Sequence, residues 1–156
     1  MSYTEYIRGQ LIFPPDCFLD RSLRWQRNGC GPTREVTVTV RLTNNAPSSG
    51  LSYYVTHRSD AHSYPVKPGD NRLLVAYAAT TGAQMKDVTI DGAPATAAAG
   101  VERGHPVFTV DLELPRGATR TITLRLAEPA AAGTPEVLRQ PLVRPLTVAV
   151  NDSSCS

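Results

Sequence analysis

The chain has 156 residues, and 41% of them are hydrophobic, which is enough for one domain with an ordinary core. Its 16 basic and 14 acidic residues give a formal net charge of +2 and are scattered along the sequence. This balance argues against a nucleic-acid-binding protein, which normally carries a clustered basic face. No run approaches the roughly 18 apolar residues of a membrane-spanning helix, so we predict no membrane span in this chain.

The beginning of the chain carries little structural signal. Residues 1–18 show no sustained alternation, and their apolar run Leu11-Ile12-Phe13 is shorter than the roughly 7 to 15 residues of a secretory signal core. We therefore expect an ordinary N-terminal segment here, with disorder as one outcome. Leu19, Leu23 and Trp25 predict an opening strand in which the single tryptophan belongs to the core.

The next segments alternate between apolar and polar residues, as in a half-buried strand. The clearest example is the run Val36, Val38, Val40 and Leu42 with threonines and an arginine between them. Residues 52–57 predict a short strand, in which the adjacent Tyr53 and Tyr54 would point to opposite faces. The apolar run within residues 72–80 predicts a strand that is buried on both faces.

The second half of the chain repeats these signals. Asp91-Gly92 after an apolar stretch is a strong cue for a two-residue hairpin. Residues 108–114 and 122–126 both alternate and are separated by Pro115-Arg116-Gly117, so we predict that they pair as a hairpin or meander. Residues 146–150 predict a closing strand, and the alanine-rich residues 93–100 and 129–133 predict loops.

These elements together predict the fold class. Helical patterns are nearly absent, and turn signals recur every ten to twenty residues. We expect an all-β protein with an immunoglobulin-like antiparallel β-sandwich of about 7–9 strands.

The three cysteines admit two interpretations. In a reducing cytosol they would be free thiols. Alternatively, Cys30 before the first strong strand and Cys155 after the last one form a disulfide, which by the disputed chain-entropy model is worth about 4 to 5 kcal/mol. We favour this bridge, which places the domain outside the cytoplasm and leaves Cys17 as the odd thiol.

Residues that could support catalysis or bind a metal are few. His57, Asp60 and His62 lie within six residues of one another, but without a further strong ligand they are better explained as a polar loop. Asp111 and Glu113 share one face of a strand, where a solvated surface explains them without glycoside hydrolysis. We therefore predict no catalytic residues, no bound metal and no cofactor.

Exposed aromatic rings are the one remaining candidate for ligand binding. Tyr53, Tyr54 and Tyr64 fall in or beside the loop region after the first strands. Sugar-binding sandwiches often present rings on a face or loop. We take these three tyrosines as candidate ligand-binding residues.

Several short motifs carry a resemblance to a known family. They are residues 19–23, Cys30-Gly31-Pro32 with the strand that follows, residues 42–51 and residues 140–145. Over residues 19–156 the chain resembles the C-terminal region of the proteins called domain of unknown function 4012, found mostly in high-GC Gram-positive bacteria. The resemblance implies a membrane-anchored envelope protein in which a helix and a larger body precede this domain, and it carries over no functional residue. Residues 1–18 depart from the family, so the resemblance implies an atypical segment over residues 1–18 before a single β-sandwich domain over residues 19–156. This departure points to a fragment, an alternative start or a truncated reading frame.

The sequence thus predicts a non-catalytic accessory or interaction module of an extracytoplasmic cell-envelope protein. Its expected partner is the body of its parent protein or another envelope protein, and nucleic acid is not expected. The alternative function is the binding of a cell-wall or capsular glycan.

Overall fold

The computed structural model describes residues 2–8, 18–58, 60–130, 136–138 and 144–153. Its secondary structure is almost entirely β, with one helical turn, α1, at Tyr53–Thr56. The strands of the described residues are β1 (Ser2–Arg8), β2 (Leu19–Asn28), β3 (Thr33–Asn44), β4 (Asn71–Ala78), β5 (Gln84–Ile90), β6 (Ala93–Pro94), β7 (Ala98–Glu102), β8 (His105–Leu114), β9 (Thr119–Pro129), β10 (Glu136–Leu138) and β11 (Thr147–Asp152).

The strands form two sheets. One has five strands in the order β10-β1-β4-β8-β7, and the other has six in the order β11-β2-β3-β9-β5-β6. The prediction of an all-β sandwich is confirmed, although the described residues form eleven strands where about 7–9 were expected. The sheets are also not wholly antiparallel, because β10 pairs with β1 and β11 pairs with β2 in parallel.

The core is formed by the apolar face of each sheet. Alternate residues of β3 from Val36 to Leu42 are at most 2% exposed, as the period-2 pattern predicted. Leu112 of β8 and Leu124 of β9 bring the two sheets' apolar faces into the same buried cluster. Trp25 is 2% exposed, so its predicted core position is confirmed.

A few polar side chains also cross between the sheets. The Trp25 Nε1 group on β2 donates a buried hydrogen bond to the Tyr77 hydroxyl on β4, at 3.2 Å. At one end of the sandwich, the Asn44 amide donates to the carbonyl oxygens of Gly69 at 2.9 Å and Leu114 at 3.0 Å. These bonds satisfy polar groups that would otherwise be costly to bury.

The predicted pairing of residues 108–114 with 122–126 is wrong. The strands β8 and β9 lie in different sheets, where β8 pairs with β4 and β7, and β9 pairs with β3 and β5. The turn between them is held by backbone hydrogen bonds from Gly117 N–H to Asn44 O and from Asn44 N–H to Ala118 O. Because Asn44 belongs to β3, these bonds direct the chain from one sheet to the other.

Two segments that were not predicted as strands are paired in the sheets. Ser2–Arg8 forms β1, which lies beside β4, although the sequence analysis placed residues 1–18 outside the sandwich. Residues 93–100, predicted as a loop, contribute β6 and much of β7. Pairing with neighbours outweighs the low β-propensity of Ala and Gly here, since propensity depends strongly on tertiary context.

The predicted strand at residues 52–57 is also wrong. The N–H groups of Val55 and Thr56 donate to the Ser52 carbonyl oxygen, and His57 N–H donates to the Tyr53 carbonyl oxygen at 2.9 Å. These local bonds close the helical turn α1. Tyr53 and Tyr54 are consequently both exposed, at 75% and 65%, and do not lie on opposite faces of a sheet.

The predicted Asp91-Gly92 hairpin is confirmed. It joins β5 to β6, with Ile90 opposite Ala93 and with φ of +51° at Asp91 and +81° at Gly92. Two positive φ angles are the signature of a type I′ turn. Arg103-Gly104 makes a second such turn between β7 and β8, and the sequence analysis missed it because arginine is an unusual residue at its first position.

No helix among the described residues has the length and apolar character needed to cross a bilayer.

The Asp91-Gly92 turn provides a test of backbone strain. We expect Gly92→Ala to lower the free energy of unfolding by about 1 to 2 kcal/mol, because an L-residue is disfavoured in the left-handed region. No atom lies within 4 Å of the added Cβ, so the loss would come from the backbone alone. Urea unfolding measures it. Gly31→Ala is the matched control, since φ at Gly31 lies outside that region, and an equal loss in both variants would contradict this account.

Candidate functional site

A network of charged and polar side chains lies on the outer face of the five-stranded sheet. Alternation in β8 turns Val110, Leu112 and Leu114 inward, so Asp111 and Glu113 point outward. Arg72 on β4 lies opposite Glu113 in the sheet register. The loop after α1 adds further polar groups. We call this set the Arg58 cluster, and it consists of Arg58, Asp60, Tyr64, Arg72, Asp111 and Glu113.

Arg58 is the centre of the cluster. Its Nε donates to Asp60 Oδ1 at 2.8 Å and its Nη2 to Asp60 Oδ2 at 2.5 Å. The same guanidinium donates to both carboxylate oxygens of Glu113, at 2.7 and 3.0 Å. The Arg58 side chain is only 10% exposed. One planar fork thus binds two carboxylates and attaches the loop to strand β8.

Arg72 makes the second set of ion pairs. It donates from Nε to Asp111 Oδ1 at 2.8 Å and from Nη2 to the other carboxylate oxygen of Asp111. Its Nη1 also reaches Asp60 Oδ2 at 3.3 Å. Asp60 is therefore shared by both arginines. Three carboxylates and two guanidinium groups form one continuous network.

These contacts fix the protonation states of the cluster. Hydrogen bonds from Arg58 and Arg72 hold the pKa of Asp60 well below its usual range, and Arg72 lowers the pKa of Asp111. Burial by itself raises the pKa of Glu113, but hydrogen bonds from Arg58 and from the Tyr64 hydroxyl outweigh it, so the net pKa is lowered. Donation to Glu113 raises the pKa of Tyr64. All three carboxylates are thus ionised at neutral pH.

This electrostatic state limits the chemistry of the cluster. Asp111 and Glu113 share a face, as predicted, but a glycosidase pair requires one carboxylic acid with a raised pKa, and neither qualifies. Within the described residues no group of three metal-ligating side chains occurs. Asp60 is bound by arginines, and the His62 Nδ1–H donates to the Asp60 carbonyl oxygen at 2.8 Å. The cluster is suited to holding the loop in place.

Two of the tyrosines predicted to bind ligand, Tyr53 and Tyr54, lie on α1, and the third, Tyr64, lies on the loop that follows it. Tyr64 is 41% exposed and is held through its hydroxyl to Glu113, with its ring centroid 5.8 Å from that of His62. Tyr53 stacks on His57, with ring centroids 4.6 Å apart. His57 directly precedes Arg58 in the chain. Only His57 therefore separates α1, which carries the exposed rings, from Arg58 of the ion-pair network.

The importance of the cluster can be measured. We expect Arg58→Ala to lower the free energy of unfolding by about 1 to 2 kcal/mol, because it leaves Asp60 and Glu113 without their main partner while both stay partly screened by solvent. Thermal and urea unfolding at low and high salt provide the measurement.

The control for that variant is Arg125→Ala. The pair between Arg125 and Asp87 is exposed on the other sheet, at 56% and 37%, and its loss should leave stability unchanged. Equal effects of the two substitutions would show that the Arg58 cluster has no special role.

A second unusual carboxylate lies at the edge of the core. Glu128 on β9 is 2% exposed, and its Oε2 accepts a hydrogen bond from the Thr80 hydroxyl at 3.0 Å. Its Oε1 is buried without a hydrogen-bond partner among the described residues. Burial raises the pKa of Glu128, and the bonds from Thr80 and the charge of Arg27 only partly oppose this.

This raised pKa predicts a specific pH dependence. The folded state binds the Glu128 proton more tightly than the unfolded state, so the associated stability is present below pH 4.5 and is lost as pH rises through the raised pKa. Glu128→Gln should remove this loss, and its stability relative to the native protein should increase between pH 4 and pH 8.

Thr80→Val provides the opposite change for the same experiment. It deletes a hydrogen bond that lowers the pKa of Glu128, so it should deepen the loss of stability at high pH. Urea midpoints across the pH range measure both effects. If the urea midpoints of the native protein and of Glu128→Gln changed with pH in parallel, ionisation of Glu128 would not be the cause of the loss of stability.

The cysteine prediction falls largely beyond the part of the chain that the structure describes. Cys155 and Cys17 lie outside the described residues, so the Cys30–Cys155 bridge stays a prediction. Cys30 itself follows β2 in the exposed connection to β3.

The sequence analysis set aside three members of the Arg58 cluster, kept Tyr64 as a candidate ligand-binding residue and missed the two arginines. The period-2 pattern does place Asp111 and Glu113 on one face. What it could not show is that the loop returns over that face, because residues 58 and 113 are far apart in sequence.

Comparisons with known proteins add little to this description. No family model matches the chain, and no curated protein does. Among solved structures, the chain is similar to an M1 zinc metallopeptidase from Deinococcus radiodurans bound to a Tyr-Ser-Ala substrate, with 16% identity and a TM-score of 0.34, covering 74% of this chain and 20% of that one.

Two further structures give the same result. Another M1 zinc metallopeptidase from Deinococcus radiodurans has 17% identity and a TM-score of 0.33, covering 71% of this chain and 19% of that one. A two-domain M1 zinc metallopeptidase bound to L-tryptophan has 17% identity and a TM-score of 0.32, and the match covers 74% of this chain and 21% of that one. The chain spans about a fifth of these proteins, and TM-scores this low do not show a shared fold.

Proposed function

We propose that this chain is a non-catalytic, immunoglobulin-like accessory module of an extracytoplasmic cell-envelope protein, related to the domain of unknown function 4012. It works by packing against the body of its parent protein or another envelope protein. The observation that carries this proposal is the Arg58 cluster. Its carboxylates are bound by arginines and held ionised, which suits a rigid surface and does not suit acid–base catalysis.

The loop that the cluster holds has the composition of a contact surface. Tyrosine is enriched in protein interfaces because its ring buries a large area at a low cost in side-chain entropy. Tyr53 and Tyr54 are more than 60% exposed on a helical turn adjoining Arg58. A partner that covers these rings would meet a surface that is already ordered, which reduces the entropic cost of binding.

The register of the closing strand supports the proposed disulfide. Strand β11 runs parallel to β2, with Thr147 beside Ser22 and Asp152 beside Arg27, so partners differ by 125 in number. Arg27 donates to Asp152 at 2.8 and 2.5 Å. Cys155 and Cys30 also differ by 125. The described pairing ends at Asp152 and Arg27, three residues before each cysteine in the chain. A disulfide between the two cysteines would suit an oxidising compartment.

Thiol counting tests both the disulfide and the location. We expect one free thiol per chain when the protein is alkylated in intact host cells, then denatured without reduction and analysed by mass spectrometry. The Cys30→Ser variant should then show two free thiols, whereas none would indicate a bridge between Cys17 and Cys155. Three free thiols in the native chain would contradict both the disulfide and the extracytoplasmic location.

A second function is favoured by the exposed rings alone. Aromatic faces bind the apolar faces of sugars, and the stacked pair of Tyr53 and His57 provides one such surface. We propose glycan binding at Tyr53, Tyr54 and Tyr64 as the alternative function, with a cell-wall or capsular polysaccharide as the ligand.

Calorimetric titration against purified wall and capsular polysaccharides separates the two functions. For glycan binding we expect measurable heat with the native protein and an affinity at least about fivefold weaker in Tyr53→Ala and Tyr54→Ala, since loss of a ring that stacks on a ligand costs about 1 to 3 kcal/mol. Neither exposed ring supports the core, so both variants should fold normally. Arg103→Ala, at a distant turn, is the control. Absence of heat with every polysaccharide would remove this alternative.

A further inference from the structure

Among the described residues, no strand pairs with the outer edge of β7 in the five-stranded sheet. The strand β7 pairs with β8 on one side only and is the last strand in the sheet order. All five of its residues are exposed, and Val101 reaches 77% exposure. The far edge of β7 therefore presents backbone N–H and C=O groups to solvent.

The turn beside β7 determines which groups face outward. Glu102 and His105 flank the two-residue Arg103-Gly104 turn, so their backbone groups bond to each other across the hairpin. The backbone N–H and C=O groups of successive residues point to opposite edges of a strand, so those of Gly100 also point toward β8. Ala99 and Val101 then direct their N–H and C=O groups toward the open edge.

This edge has few of the features that usually protect an exposed strand. Protected edges carry proline, lysine, a bulge or very short strands. On the other sheet, the edge strand β6 is two residues long and ends in Pro94, and β5 has an irregularity between Met85 and Asp87. The residues Ala98–Glu102 contain no proline or lysine, and their register with β8 is continuous.

We propose that β7 pairs with β7 of a second copy of this chain, antiparallel about a two-fold axis at Gly100. In this register Ala99 of one copy lies opposite Val101 of the other, on both sides of the axis. Those are the two residues whose backbone groups face outward, so both pairs can form the full set of hydrogen bonds. A symmetric homodimer of this kind uses the same patch on both chains.

The side chains are complementary in this register. Val101 packs against Ala99 of the second copy, which covers the most exposed large apolar side chain of the described residues. Glu102 lies opposite Ala98, so no like charges face each other. The two Gly100 residues meet at the axis, where the absence of a Cβ allows close approach. A contact of five residues per chain is small, so the dimer is weak.

Sedimentation velocity over a range of protein concentrations tests the proposal on the full chain. We expect reversible monomer–dimer behaviour in the native protein and slower amide exchange at Ala99 and Val101 as concentration rises. Val101→Pro removes an outward N–H that β8 does not use, so it should abolish the dimer while leaving the thermal midpoint nearly unchanged.

Charge substitutions at Ala98 provide a matched pair that does not depend on proline. Ala98→Lys would face Glu102 of the second copy twice per dimer and should tighten association by about threefold to tenfold, whereas Ala98→Glu should weaken it. A chain that stays monomeric at millimolar concentration would overturn the proposal. So would a dimer that is insensitive to both the proline and the charge variants.

Discussion

The packing of two apolar sheet faces against each other is the constraint on which the rest of this structure depends. Full burial of a Val, Leu or Ile side chain is worth about 1.5 to 3 kcal/mol, and β3, β8 and β9 contribute a continuous set of such residues. Some polar groups in this core have partners across it, as in the bond between Trp25 and Tyr77. Glu128 differs, because one of its carboxylate oxygens is left unsatisfied at the edge of the core.

The same packing determines what the outer faces can do. Alternation that turns Leu112 inward must turn Asp111 and Glu113 outward, where they meet Arg58 and Arg72. Ordering the loop costs conformational entropy, and the ion pairs offset this cost. The rings on α1 gain a fixed position from this arrangement without contributing to the core. A surface of this kind is preorganised for contact, which agrees with the proposed accessory role.

The sequence predicted best where a local pattern and the tertiary structure agree. The alternation from Val36 to Leu42 and the Asp91-Gly92 turn were correct, because each is determined by neighbouring residues. Long-range choices failed. The strands at 108–114 and 122–126 were assigned to one sheet, since alternation identifies a strand but not its partner. The role of Arg58 was missed for the same reason, because its partner Glu113 is distant in sequence. The helical turn at Tyr53 was missed because the local hydrogen bonds that close it leave no mark in the alternation pattern.

If one shared core holds both sheets, they must unfold together. Native-state hydrogen exchange tests this most directly by giving the opening free energy of amides in β3 and in β8, one central strand from each sheet. The account predicts equal values for the two strands, both matching the global free energy of unfolding from urea titration. A markedly lower value for either strand would show that one sheet opens while the other stays folded, and would contradict the account.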